Sequence, residues 1–113
     1  MVNTRFRKKP LIIDAFQMTV ARRLDNRDWP GWLNEAWNLK AGDIGSVYPN
    51  HAGTDDGVLC VATSTGEAVV WWGYWIIRGV RGELYCCDPK VFAATYEEVA
   101  PEPSRSPTAT SAP

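Results

Sequence analysis

Cysteine is scarce in this 113-residue chain: there are three, and Cys86 and Cys87 are adjacent. That number and spacing exclude a disulfide framework and a four-ligand zinc site, and they leave reduced thiols that behave as small apolar groups. Histidine is scarcer still. His51, the single one, stands in a Gly/Asn/Asp-rich stretch with no serine or cysteine nucleophile beside it, so no catalytic pairing is written in the sequence. Net charge is almost absent, twelve Lys and Arg against thirteen Asp and Glu giving −1, which removes the bulk attraction that non-specific binding to duplex DNA relies on. No run approaches the ~20 apolar residues of a membrane span. The basic start at Arg5, Arg7, Lys8 and Lys9 leads into an apolar run broken by Asp14 and Gln17, without the small-residue cleavage pattern of an export signal. These absences predict a soluble intracellular protein that coats neither a membrane nor duplex nucleic acid. No glycine-rich phosphate loop precedes a lysine and a helix. Asp55-Asp56-Gly57 lacks the spaced acids of a calcium loop and reads as an Asp-Gly turn, so neither a cofactor nor a metal is called for.

What is there suffices for one domain. Hydrophobic residues make up 45% of the chain and charged residues 22%, a balance that folds. Leu11 to Met18, preceded by Pro10, is rich in β-branched and aromatic residues and predicts a strand with two largely apolar faces. Asp28 and Pro30 open a short helix that runs to about Leu39, with Trp29, Leu33 and Trp37 at intervals of four and Trp32 and Ala36 beside them. Ile44 to Tyr48 looks strand-like within the loop-rich stretch from Ala41 to Gly57. Four further strands follow at Val58–Thr63, Glu67–Trp72, Tyr74–Val80 and Glu83–Cys86, joined by turn residues as in an antiparallel meander, and Phe92–Val99 adds a last short strand. The expected fold is α+β: a twisted, mainly antiparallel sheet of about five or six strands with one short helix packed on a face, over residues 1–99. Residues 100–113 mix proline with serine, threonine and alanine and are expected to be a disordered tail.

Six tryptophans are many for so small a core, and tryptophan is enriched where proteins bind. Trp29, Trp32 and Trp37 are explained by the helix's apolar stripe. Trp71 and Trp72 are neighbours on a predicted strand and so point to opposite sides of it. One of them lies either under the helix or out on the second face, and in the latter case that face is an aromatic platform suited to a partner subunit or to a nucleobase. Arg78 closes an apolar strand and either snorkels to water or meets Arg81, Arg7, Lys8 and Lys9 in an anion site. A solvated basic face accounts for the same residues without a ligand.

Two stretches resemble a family of small, mostly uncharacterised bacteriophage proteins. One is Arg7-Lys8-Lys9-Pro10-Leu11-Ile12-Ile13-Asp14-Ala15-Phe16-Gln17. The other is Trp75-Ile76-Ile77-Arg78-Gly79-Val80-Arg81-Gly82-Glu83-Leu84-Tyr85 and its continuation to Val99, similar to that family's Trp-Ile-Ile-Arg-Gly-Val-Lys-Gly-Glu module. Together they cover about a third of the chain, and Trp29-Pro30-Gly31-Trp32 also fits the pattern. Tyr74 stands where the family usually has aspartate and Met18 where tryptophan is common, while Cys87-Asp88 break its Cys-Lys-Pro segment, so no ligand contact is carried over there. The resemblance implies a phage protein acting in the cytoplasm of the infected bacterial host. It is also similar in size to phage sponges that sequester the cyclic nucleotide signals of antiphage defence. The implied function is non-catalytic binding of a cyclic di- or trinucleotide by a homo-oligomer, with Arg7, Lys8, Lys9, Arg78 and Arg81 on phosphates and Trp72, Trp75 and Tyr85 on bases. The alternative is a structural or accessory phage protein acting through protein–protein contacts.

Overall fold

The computed structural model describes residues 4–7, 9–50 and 57–99. Strand β1 spans Asp14–Gln17 and helix α1 Val20–Leu24. A single 3-10 turn at Asn26–Asp28 leads into helix α2, Gly31–Trp37. Strands β2 (Val47–Pro49), β3 (Leu59–Thr63), β4 (Gly66–Val70), β5 (Trp75–Arg78) and β6 (Leu84–Cys87) follow, and helix α3, Pro89–Thr95, closes the described chain. Helix and antiparallel strand are thus combined in the α+β class that the residue pattern predicts.

The six strands divide into two antiparallel sheets of three, ordered β1-β5-β6 and β2-β3-β4. The meander therefore breaks between β4 and β5. Trp71, Trp72 and Gly73 form a turn there in place of the predicted strand end, and the Tyr74 N–H bonds the Trp71 carbonyl at 2.9 Å. Gly73 adopts a φ of 89°, a conformation that a side chain would strain. That backbone lets its N–H reach the Met18 carbonyl at 2.8 Å while its own carbonyl accepts from Gln17 Nε2 at 3.0 Å. β5 is thereby turned away from β4 and onto β1, with Asp14 opposite Arg78 and Gln17 opposite Trp75.

Between the sheets and under α2 lies the core of Met18, Trp29, Leu33, Ala36, Val47, Leu59, Val61, Val70, Ile76 and Leu84. The tryptophan stripe behaves as its spacing predicts: Trp29 is buried, with its ring edge-on to Trp37 at 5.8 Å, and Trp32 and Trp37 pack against the core from its rim. Pro30, not Asp28, occupies the N-cap of α2, where it offers no side-chain acceptor.

Three expectations are corrected. The run from Arg22 to Asp25, read as a polar connection, begins inside helix α1, whose Thr19 cap accepts from the Arg22 N–H at 3.2 Å. Phe92–Val99, read as a strand, is helical as far as Thr95. Asp88 caps the helix by accepting from the N–H groups of Lys90 at 2.7 Å and Val91 at 3.3 Å, and Pro89 opens it with its φ already set. The Phe92–Tyr96 spacing of four is then a helical face rather than a strand pair. Finally, β1 is laddered only from Asp14, because β5 ends opposite it at Arg78. His51, Asp55, Asp56, Lys8 and the stretch 100–113 lie outside the described residues.

Candidate functional site

The two sides of sheet β1-β5-β6 treat their side chains differently. On the side away from the core stand Trp75, Ile77, Tyr85 and Cys87, and α3 lies over them. The Trp75 ring stacks on Phe92 at 4.1 Å with 5° between planes. Phe92 in turn leans on Tyr96 at 5.0 Å, and the Tyr85 and Tyr96 hydroxyls share a hydrogen bond at 3.4 Å. Burial, reinforced by the Tyr96 hydroxyl, pushes the Tyr85 phenol well above its ordinary pKa. Both aromatics assigned to base stacking on this side are engaged within the protein. Lys9 reaches the same region, lining with Leu11, Ile13, Tyr85 and Tyr96 a cleft of about 180 Å³.

Arg78 belongs to the other side. It lies at the end of β5, exposed, and with Trp32, Glu35, Leu39, Ile44 and Leu84 it lines an open groove of about 360 Å³ between α2 and the β5–β6 hairpin. Among the described residues the guanidinium makes no ion pair; the one pair found there is Arg27 with Asp25 at 3.2 Å, on the surface. The hairpin beside it is held by Glu83, whose carboxylate accepts from the Arg81 N–H at 2.9 Å while its carbonyl accepts from the Gly79 N–H at 2.8 Å. A Cβ added at Gly79 would meet that carboxylate, the far end of a flexible side chain that can swing aside.

The remaining predicted site residues are apart from this groove. Arg81 and Arg7 are exposed, and Lys8 falls outside the described residues. Trp72 packs half-buried against the core from the β4–β5 turn, beside Gly57, while Trp71 is 46% exposed. The structure thus brings Arg78 together with Trp32, which the residue pattern assigned to the core, and places Lys9 with Tyr85 elsewhere.

Two arginines escaped the sequence reading. Arg22 lies 4.5 Å over the Phe16 ring and donates to the Gln17 carbonyl at 2.7 Å; Arg23 lies 5.2 Å over Trp37 and donates to the Gly57 carbonyl at 3.0 Å. Arg22 ties α1 to β1, and Arg23 ties it to α2 and to the chain that leads into β3, each through a ring face and a backbone oxygen. A helix start at Thr19 was the signal that would have placed them.

The cysteines are free thiols, Cys60 buried and Cys86 and Cys87 half-buried. Burial raises all three above the ordinary thiol range, which keeps the thiolate fraction low. Among the described residues no cluster of histidine, cysteine or carboxylate side chains is arranged to hold a metal ion, and no helix is long and apolar enough to cross a membrane. No protein-family model, no curated protein and no solved structure matches this chain.

Proposed function

We propose that this chain is a non-catalytic binding protein that sequesters a cyclic oligonucleotide signal, with a half-site on each copy built from Arg78 and Trp32. The observation that carries the reading is one groove holding an exposed guanidinium, unpaired among the described residues, beside an aromatic ring. A guanidinium fork suits phosphate oxygens, a ring suits the face of a base, and the Glu35 carboxylate in the same groove suits a base's amino group. At about 360 Å³ the groove lies at the low end of the ~300–1,000 Å³ of small-molecule sites, a size that favours half of a two-fold ligand per copy. Stacking contributes ~1–3 kcal/mol per base and each charged hydrogen bond ~1.5–3 kcal/mol. Nanomolar sequestration, about 12 kcal/mol net, therefore takes two half-sites together. The likeness to phage proteins supports the setting, the cytoplasm of an infected bacterium in which such signals circulate.

The test is calorimetric titration of the full chain with cyclic di- and trinucleotides, followed by heat denaturation and recovery of the ligand. Saturable binding with intact release supports sequestration. Release of an altered ligand makes the protein an enzyme, and absence of binding overturns the reading. In that last case the accessory role through protein contacts stands in its place, favoured by exposed apolar side chains such as Phe6, 92% exposed, and Leu24, 81% exposed.

A further inference from the structure

β1 is the edge of its sheet, and the segment that feeds it is unusually apolar for a surface: Leu11 is 54% exposed and Ile12 75%. The hydrogen-bond phase of the edge is fixed by its neighbours. The Met18 N–H donates to the Tyr74 carbonyl, and Gly79 bonds Glu83 across the β5–β6 hairpin. With the β1–β5 register, Asp14, Phe16 and Met18 turn their backbone groups toward β5. Ile13, Ala15 and Gln17 turn theirs outward. The outward Gln17 carbonyl is occupied by Arg22 Nη1 at 2.7 Å, which closes the edge at that end. Ile13 and Ala15 have no backbone partner among the described residues. Leu11 continues their alternation, since it lines the same cleft as Ile13 while Ile12 points away from it.

We infer that this edge is where a second copy of the chain docks: the two β1 segments pair antiparallel about a two-fold axis at Ile12, joining two three-stranded sheets into one of six. In this register Ile12 faces the partner's Ile12, Leu11 faces the partner's Ile13, Lys9 faces the partner's Ala15 and Pro10 faces the partner's Asp14. The odd-numbered residues make the ladder bonds, so Pro10, which has no N–H to give, falls at a position that needs none. Charge tolerates this register: the two Asp14 carboxylates stand four residues apart along the pair, roughly 14 Å at ~3.4 Å per residue and beyond the ~8 Å Debye length. Moving the axis to Ile13 sets Ile12 against the partner's Asp14. Moving it to Asp14 opposes two like charges and calls on the Gln17 carbonyl that Arg22 already holds.

The inference rests on the sequestration reading only in supplying the second copy that two half-sites require, and its test uses no nucleotide. Sedimentation of the full chain over a concentration series from low micromolar upward is expected to show a monomer–dimer equilibrium. Ile12→Lys, at a position already mostly exposed, is expected to weaken the dimer by about a hundredfold, since it replaces a mutual apolar contact by two opposed cations. Facing residues at a pair without ladder bonds have Cα atoms ~4.5 Å apart, within disulfide reach. Mild oxidation should therefore cross-link Ile12→Cys, but not Asp14→Cys, into a dimer. A chain that stays monomeric throughout overturns the proposal. So does a dimer indifferent to Ile12→Lys, or equal cross-linking at the two positions. Calorimetry with cyclic nucleotides on Ile12→Lys then reads the binding site separately, so the edge and the groove can fail independently.

Discussion

Ile76 and Ile77 are consecutive residues of β5, both fully buried, and they are buried by different means. Ile76 faces the core, where two sheets and α2 close over it with side chains drawn from the whole chain. Ile77 faces the other way, toward Trp75, Tyr85 and α3, a helix of seven residues that has no fully buried residue of its own. The second covering works because Phe92 stacks its ring on Trp75 while Tyr96 leans on Phe92 and shares a hydroxyl hydrogen bond with Tyr85. An aromatic side chain on a strand is therefore not, by that fact, available to a ligand. At the open groove on the core side the ring beside Arg78 is Trp32, contributed by α2 and not by a strand.

The sharpest way to break this comparison is to truncate each isoleucine. Ile76→Ala and Ile77→Ala are both expected to cost about 2–5 kcal/mol in urea unfolding, the usual loss for a buried aliphatic. A cost below about 1 kcal/mol for Ile77 alone would mean that the α3 layer is not a second core. Next in size is a change that acts on one side only. Arg78→Ala is expected to lower nucleotide affinity in calorimetry by about 1.5–3 kcal/mol, the worth of a charged hydrogen bond, and to leave the unfolding midpoint unchanged because Arg78 is exposed. Unaltered affinity would remove the groove from the site. A smaller effect belongs to the covering helix: Asp88→Ala removes the cap that holds the N–H groups of Lys90 and Val91, and should cost ~1 kcal/mol of stability without touching affinity.

The smallest effect lies in the other sheet. Burial, followed by a hydrogen bond to the Glu67 carboxylate, raises the Tyr48 phenol to about 12. The unfolded chain, with its phenol near the ordinary value of 10, gives up that proton first. Tyr48 thus contributes stability that is whole below pH 10 and lost as pH climbs toward 12. Tyr85, raised likewise, adds to the same alkaline loss. Tyr48→Phe should reduce the alkaline slope of the unfolding midpoint, and an unchanged slope would show that the Glu67 contact is not kept in solution.

Most of the sheet was legible because its signals are local. Leu59–Thr63, Gly66–Val70, Trp75–Arg78 and Leu84–Cys87 each fall inside a predicted strand or within one residue of it, since alternation and turn residues determine them over a few positions. The break between β4 and β5 was not legible. It depends on Gly73 reaching Met18, a contact between distant parts of the chain that no window of sequence contains. α3 was misread because Val91, Phe92 and Thr95 favour strands, and the Asp88-Pro89 start that overrides them is only two residues long. For the candidate site, Arg78 could be named because it ends an apolar strand. Its neighbour Trp32 could not, since a tryptophan on a helix stripe looks the same whether it lies deep in the core or at the rim.

The register of β1 also has a consequence for the order of assembly. β5 and β6 meet across a short hairpin, as do β3 and β4, and both can zip locally. Asp14 must instead wait for Arg78, more than half the chain away, and that loop has to close before its ladder gives any return. On a ribosome, β1 is thus made well before β5 and can be placed only after β5 has emerged. Until then Leu11, Ile12 and Phe16 wait with no sheet to join, an apolar stretch exposed for as long as β5 is missing.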